Sequence, residues 1–514
     1  MTVSSDRVQR PQDGAPPGWL RLGAPGVSSL QASALRIRIH VLGGISFAAH
    51  LVLAVLSYAQ APVLWQEPDS PQAAAFFARF GLPPQTFAGN ETAILSYMVP
   101  MAAATVAAVW LVLLLTRHGE QADAAVVRLA FRWSVAFAAA GLLAFPVFTQ
   151  DLWLSAAWGR MVAAGANPYH TLFTAEVVSG LPLDHFPMTM SYGPLWAAIS
   201  ALVALAAWND AIVMGVMFKL LIAAAWVWAL VLIGRLMRDR PVGDRCLAIV
   251  VFGWVPLSIS QSVAEGHNDI VMMAPALLWF LLLLRNRGTA PAALAASALC
   301  KYTTAPLFLI DLIHAVRCAR LGFREIVLRM VVPAAMAAVL LVLFFRSFAF
   351  FDGIRLVSEW HFLRPSEAVS GVEALIGWPL YPLHVVALAV GPVIAVYWLA
   401  SAARDPTAET LTKAAIALLA GIMFGAISHL WPWYLIWGLA FAALLPRWWL
   451  SRFVIGVALL MPLALATWWI EPLEELRDVV TLVIYAGAAL WAYLTRTKAA
   501  AAAMRQFSAR DFSG

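Results

Sequence analysis

The chain is short of charge. Only 12% of its 514 residues are Asp, Glu, Lys or Arg, while 62% are hydrophobic and the mean hydropathy is +0.79. A soluble domain carries about 25% charged residues, so a soluble enzyme is excluded, and no stretch is long and polar enough for a separate soluble domain. Cysteine is also scarce. Cys246, Cys300 and Cys318 share no metal-like or disulfide-like spacing, so they are read as small buried hydrophobes with no thiol chemistry. The net charge of +6 does not imply nucleic-acid binding, because in a membrane protein such an excess belongs mostly to cytoplasmic loops. What the chain has in abundance is apolar runs of about 20 residues, the length that crosses a bilayer as a helix.

These runs fall near 39–60, 93–115, 128–149, 192–207, 211–234, 245–263, 269–284, 289–316, 327–349, 380–402, 411–429, 432–446, 452–470 and 478–496. Residues 1–35, rich in Pro, Gly, Ser and Arg and without an apolar h-region, are expected to be a disordered cytoplasmic tail. Residues 36–496 form the single transmembrane domain, and 497–514 a second cytoplasmic tail. Arg7, Arg10, Arg21, Arg36 and Arg38 precede the first run and place the N-terminus inside. The segment 192–207 is short for a hydrocarbon core of about 30 Å. Read as an outer juxtamembrane helix, it keeps Arg235, Arg238, Arg240 and Arg245 inside. Cations flank 289–316 on both sides, so it is expected to be a re-entrant helical hairpin with Lys301 near its tip. Of the 34 Lys and Arg, all but Arg79, Arg160, Lys219, Lys301, Arg346, Arg355, Arg364 and Arg477 then lie inside. The expected fold is an all-α polytopic membrane protein of about twelve spans, one hairpin and one surface helix.

This orientation gathers polar residues on the outer face: the island 151–210, the span end Glu265-Gly-His-Asn-Asp269, the loop 351–379, and Ser428 to Tyr434. Asp151, directly after an apolar run and near Trp153 and Trp158, is the best candidate for a general base toward a hydroxyl acceptor, ahead of a span-end anchor or a helix N-cap. One base suffices when the leaving group is a phosphate, which departs without an added acid. The stretch from Gly165 through Asn167 to Tyr169 is a turn or a binding loop, and Tyr192-Gly-Pro opens the surface helix. The alternate spacing of Glu265, His267 and Asp269 suits an extended segment. One histidine with two acids is weak for Zn²⁺, so no metal is assigned, although a divalent cation on the carboxylates is an open alternative; together with Asn268 they are expected to shape the acceptor site or end a helix. Lys301 would face a lipid phosphate or pair with an acid such as Asp311. Arg355, His361 and Arg364 lie in a loop suited to a lid. His429 beside Trp431, Trp433 and Tyr434 would meet a donor phosphate and its lipid chain, or form part of an interfacial aromatic belt.

An acid directly after an early span, then GANPY, then SYGPL opening a juxtamembrane helix, resembles the GT-C superfamily of membrane glycosyltransferases. EGHND at 265–269, Lys301-Tyr302 and HLWPWYLIWGL at 429–439 are similar to polyprenol-phosphate-mannose-dependent mannosyltransferases, and two spans before the acid suit the α-1,6-mannopyranosyltransferase branch. The resemblance covers most of 128–450. It implies inverting transfer of a sugar, mannose above others, from a polyprenyl-phosphate donor to a glycolipid or glycan hydroxyl on the outer face of the cytoplasmic membrane. Asp151 then matches the catalytic acid of the family, and Lys301 and His429 its donor-phosphate contacts; by their own chemistry Arg364, Trp433 and Tyr434 are read toward the donor as well. The chain has one acid where other GT-C members have an adjacent pair, which counts against metal dependence. A flippase of lipid-linked saccharides is the alternative, but it would spread charges along a path through the bilayer; another transferase of lipid-linked groups would need a nucleophile that is not evident.

Overall fold

Backbone polar groups inside a lipid phase must be satisfied within the segment that carries them, which favours helices. The computed structural model describes residues 29–64, 76–79, 90–183, 189–345, 373, 376–378, 381–426, 430–465, 467 and 476–511, and among these there is helix and no strand. In chain order the helices used below are α1 (Ser29–Leu64), α2 (Asn90–His118), α3 (Ala124–Leu143), α4 (Asp151–Ala163), α5 (Pro194–Ala206), α6 (Ala211–Leu236), α7 (Val242–Gly253) and α8 (Pro256–Ala264). They continue as α9 (Asp269–Leu284), α10 (Ala290–Cys300), α11 (Phe308–Arg317), α12 (Phe323–Phe345), α13 (Tyr381–Arg404), α14 (Ala408–Gly421), α15 (Leu435–Ala442), α16 (Trp449–Ala464) and α17 (Arg477–Asp511).

Among the described residues, six helical stretches are long and apolar enough to cross a membrane, in α1, α2, α3, α6, α12 and α17, and the pair α7–α8, bent by 56°, adds a seventh if taken as one span. The chain is a multi-pass membrane protein. Several runs expected to span form shorter helices instead: α9 and α16 have 16 residues each, α14 has 14 and α15 has 8. The run expected as one straight span over 245–263 breaks before Pro256, whose ring removes a donor and excludes the preceding residue from helix, and α8 ends in a π turn at Ser260–Ala264. α1 includes residues 29–35 and α17 includes 497–511, so these parts of the two expected tails are helical. Cys246 and Cys300 are buried as expected; Cys318 is exposed.

Two layers position the site. The larger core is apolar, with Trp226, Trp254, Trp279 and Trp437 fully buried between the long helices. A second core, around Leu152, Trp153, Trp158, Trp196 and Phe218, joins α4, α5 and the start of α6. The 13 residues of α5 reach about 20 Å at 1.5 Å per residue, too short to span alone. It lies so close to α4 that a Cβ on Gly159 would sit 2.3 Å from the Ser200 carbonyl oxygen, and Trp196 Nε1 donates to Ser155 Oγ at 3.0 Å. Arg160 on α4 donates to the carbonyls of Val177 (3.0 Å), Ser179 (2.7 Å) and Asn209, tying the loop after α4 and the end of α5 to one guanidinium.

The run expected as helix over 128–149 stops at Leu143, and residues 144–150 leave it irregular before α4 begins. Pro146 has no amide to continue the ladder. Likewise 289–316 is two helices parted at Lys301, whose backbone is extended (φ −156°, ψ 128°). The break expected at the tip of the hairpin is therefore present.

Candidate active site

Asp151 opens α4, and its side chain retains 20% exposure in an otherwise buried setting. One carboxylate oxygen, Oδ2, takes two hydrogen bonds: the Tyr192 hydroxyl donates at 2.7 Å and His267 Nδ1 approaches at 3.0 Å. Among the described residues Oδ1 makes none. One oxygen is thus held and the other is free to receive a proton.

Each partner is itself fixed. The Tyr192 carbonyl accepts from the hydroxyls of Tyr169 (2.9 Å) and Tyr302 (3.4 Å), and the Gly193 amide donates to Cys300 O at 2.9 Å. A Cβ at Gly193 would meet the Leu299 carbonyl oxygen at 2.1 Å, so glycine lets this strand-like segment lie against the end of α10. Pro194 then starts α5. The Asn167 side chain accepts from the Tyr169 amide at 3.0 Å, and Pro168 O accepts from Met190 N at 2.8 Å. The GANPY turn therefore supports Tyr192. Trp158 meets the Tyr192 ring edge-on at 5.5 Å, whereas Trp153 packs on Phe76 and Phe145.

The second partner comes from the turn between α8 and α9. Its alternate spacing suits an extended segment or a helix end; it is a tight turn between two helix ends, through Gly266 at φ +83°, and a Cβ there would lie 2.4 Å from Leu152 Cδ1. The left-handed backbone without a side chain is what glycine permits. The turn sends three neighbouring groups to three places. Glu265 Oε2 accepts from the amides of Val147 and Phe148, both at 2.8 Å. His267 reaches Asp151, its ring stacked on Trp433 at 4.0 Å, with Trp431 stacked beyond at 4.9 Å. Asp269 Oδ1 accepts from Lys301 Nζ at 2.7 Å and from Trp437 Nε1. These side chains diverge, so they do not form one metal-ligand set, and among the described residues no cluster of three such groups occurs. The buried Asn268 amide has no partner among the described residues, and nothing in the structure explains it.

Lys301 therefore pairs with Asp269; Asp311 is taken by Trp279 (2.9 Å) and Arg329 (3.1 Å). The Lys301 ammonium also lies 4.9 Å from the Tyr434 ring centre, 5.1 Å from Tyr192 and 5.2 Å from Trp437, three aromatic faces that attract a cation. Trp437 was not singled out from the sequence, although it lies one helical turn after Trp433 in the same motif. Arg364 and His429, with Arg355 and His361, lie outside the described residues.

The model of the family described as alpha-(1->6)-mannopyranosyltransferase, N-terminal domain, matches residues 44–317, just over half of the chain. The chain belongs to this family. No curated protein matches it. The matched segment holds Asp151, Tyr192, the 265–269 turn and Lys301, so these polar groups sit in a mannosyltransferase domain, as the GT-C resemblance implies; Trp433, Tyr434 and Trp437 lie beyond it.

Electrostatics suit an ionised Asp151. Burial pushes its carboxyl up, but the hydrogen bond and positive field of His267, the Tyr192 hydroxyl and the field of Lys301 outweigh burial and hold it below the usual carboxylate range. Burial and the neighbouring Asp151 and Asp269 charges push Tyr192 well above the usual phenol value, so it stays a donor. Replacing Tyr192 by Phe removes a bond that favours the charged carboxylate, so the Asp151 pKa rises toward its ordinary value. The acidic limb of the kcat/KM profile is then expected to move to higher pH, because a bond that favours the charged carboxylate is lost. A limb that stays in place or moves to lower pH would remove Tyr192 from this role.

Proposed function

We propose that the protein transfers mannose, with inversion, from a polyprenyl-phosphate donor to a hydroxyl of a glycolipid or glycan. The observation that carries this reading is the Asp151 carboxylate, with Oδ2 pinned by Tyr192 and His267 and Oδ1 without a partner among the described residues. The acceptor oxygen attacks the anomeric carbon, the bond from that carbon to the phosphate oxygen breaks, and the phosphate leaves with the electron pair. The acceptor proton goes to Asp151 Oδ1. A carboxylate with a lowered pKa can do this because the hydroxyl becomes strongly acidic only as its bond to an oxocarbenium-like centre forms.

Lys301, held by Asp269, offers positive field to the departing phosphate, with His429 and Arg364 as further donor contacts and Trp433 and Tyr434 toward the lipid chain. The family supports the sugar, and the single transfer base supports the phosphate leaving group. Arg117 lies in the last turn of α2, Arg128 and Arg132 lie in the first half of α3, and Asp151 follows the other end of α3. With the arginine end and both termini cytoplasmic by the positive-inside tendency, the reaction occurs at the outer face of the cytoplasmic membrane.

The test supplies the purified full chain with radiolabelled mannose on a polyprenyl phosphate or on a nucleotide, together with an extract of membrane glycolipids. Transfer from the lipid-linked donor alone, to a product of opposite anomeric configuration, is expected. Transfer from the nucleotide sugar, or retention of configuration, would overturn the proposal; movement of intact donor across vesicles without transfer would favour a flippase.

A further inference from the structure

Residues 144–150, between α3 and α4, carry Asp151 without regular structure of their own. Buried backbone groups outside regular structure still require partners, and here they are found one by one. The Ala144 amide closes α3 on Gly141 O at 3.2 Å, and the Phe145 amide donates to Ser57 Oγ at 2.7 Å, whose hydroxyl donates in turn to Ala54 O. Pro146 has no amide. Val147 and Phe148 both donate to Glu265 Oε2, and Asp151 N donates to Thr149 Oγ1 at 3.1 Å. On the carbonyl side Lys219, from the middle of α6, donates to Gly141 O at 3.1 Å and to Ala144 O. Both charged groups are buried, Lys219 at 7% and Glu265 at 0% exposure.

We infer that Lys219 and Glu265 are a pair of positioning residues that clamp this segment and so set where the Asp151 carboxylate stands. The cation takes the carbonyls released at the C-terminal end of α3, where a helix favours positive charge, and the anion takes two amides further along. Neither group touches the base. Their net charge is zero, so the clamp adds no charge to the site. Glu265 is thereby assigned to the backbone of the catalytic segment rather than to an acceptor sugar. The inference rests on the proposed role of Asp151 only for its effect on rate.

Two readouts test it on the full chain in detergent. The first is hydrogen exchange, which needs no activity. Glu265→Ala is expected to speed exchange of the Val147 and Phe148 amides by about tenfold, the loss of a hydrogen bond, while Glu265→Gln, whose side-chain oxygen still accepts, keeps most of the protection. The second is kinetic: Glu265→Ala and Lys219→Met lower kcat by about 10²-fold, the scale of a 1 Å displacement, with donor KM within about twofold. Combining Lys219→Met with Glu265→Gln removes both charges and recovers part of the loss. Unchanged protection at 147–148 in Glu265→Ala, or faster exchange spread evenly over the chain, would overturn the clamp. Faster local exchange with unaltered kcat would overturn the positioning role. If Asp151→Asn stays active, the role of Asp151 as base falls, while the exchange result still decides the clamp.

Discussion

Asp151→Asn should lower mannosyl transfer by about 10²–10⁴-fold, the contribution of a positioned general base, with the protein still folded. The substitution keeps size and keeps an oxygen that can accept from Tyr192 and His267. What it loses is the ability of the other atom to take a proton, since an amide nitrogen presents donors there. The measurement is the initial rate per mole of folded protein, with donor binding measured separately. Retention of a tenth or more of the rate would remove Asp151 from the role of base. Loss of donor binding together with rate would instead mark it as a binding group.

Asp269→Asn should be the most destabilising single change at the site. It leaves the Lys301 ammonium, 8% exposed, without its carboxylate, and breaking one side of a buried pair costs about 3–5 kcal/mol. The three aromatic faces return part of this, about 0.5–2 kcal/mol for a cation at a ring, so about 3 kcal/mol remains. Combining Asp269→Asn with Lys301→Met removes both charges and should be more stable than Asp269→Asn alone. Unfolding midpoints in one detergent should rank the parent first, the double variant second and Asp269→Asn last. A double variant no more stable than Asp269→Asn would mean that the ion pair is not what holds this corner.

The site residues were legible in the sequence because they are polar groups in an apolar chain: Asp151, Tyr192, the 265–269 turn and Lys301 stand out wherever charge is scarce. Their partnerships were not. His267 reaches a carboxylate 116 positions away and Asp269 a lysine 32 positions away, distances over which no local period carries information. Lys301 has Asp311 nearer in sequence, yet Asp311 is occupied by Trp279 and Arg329. The alternate spacing of Glu265, His267 and Asp269 misled because one left-handed glycine replaces the two-residue period of a strand. Helix ends escaped for a related reason: hydropathy sees Pro146 and Pro256 as members of apolar runs, whereas the backbone breaks beside both.

The turn from Glu265 to Asp269 serves the segment 144–150, Asp151 and Lys301 within five consecutive residues. Its register therefore cannot drift: one inserted or deleted residue would mis-aim all three connections together. For anyone recombining this chain with a relative, residues 144–151, 192–193, 265–269 and 301 behave as one inheritable block. Crossovers belong outside it, in helices such as α12, whose exposed Val327, Leu328, Val339 and Val342 need only remain apolar.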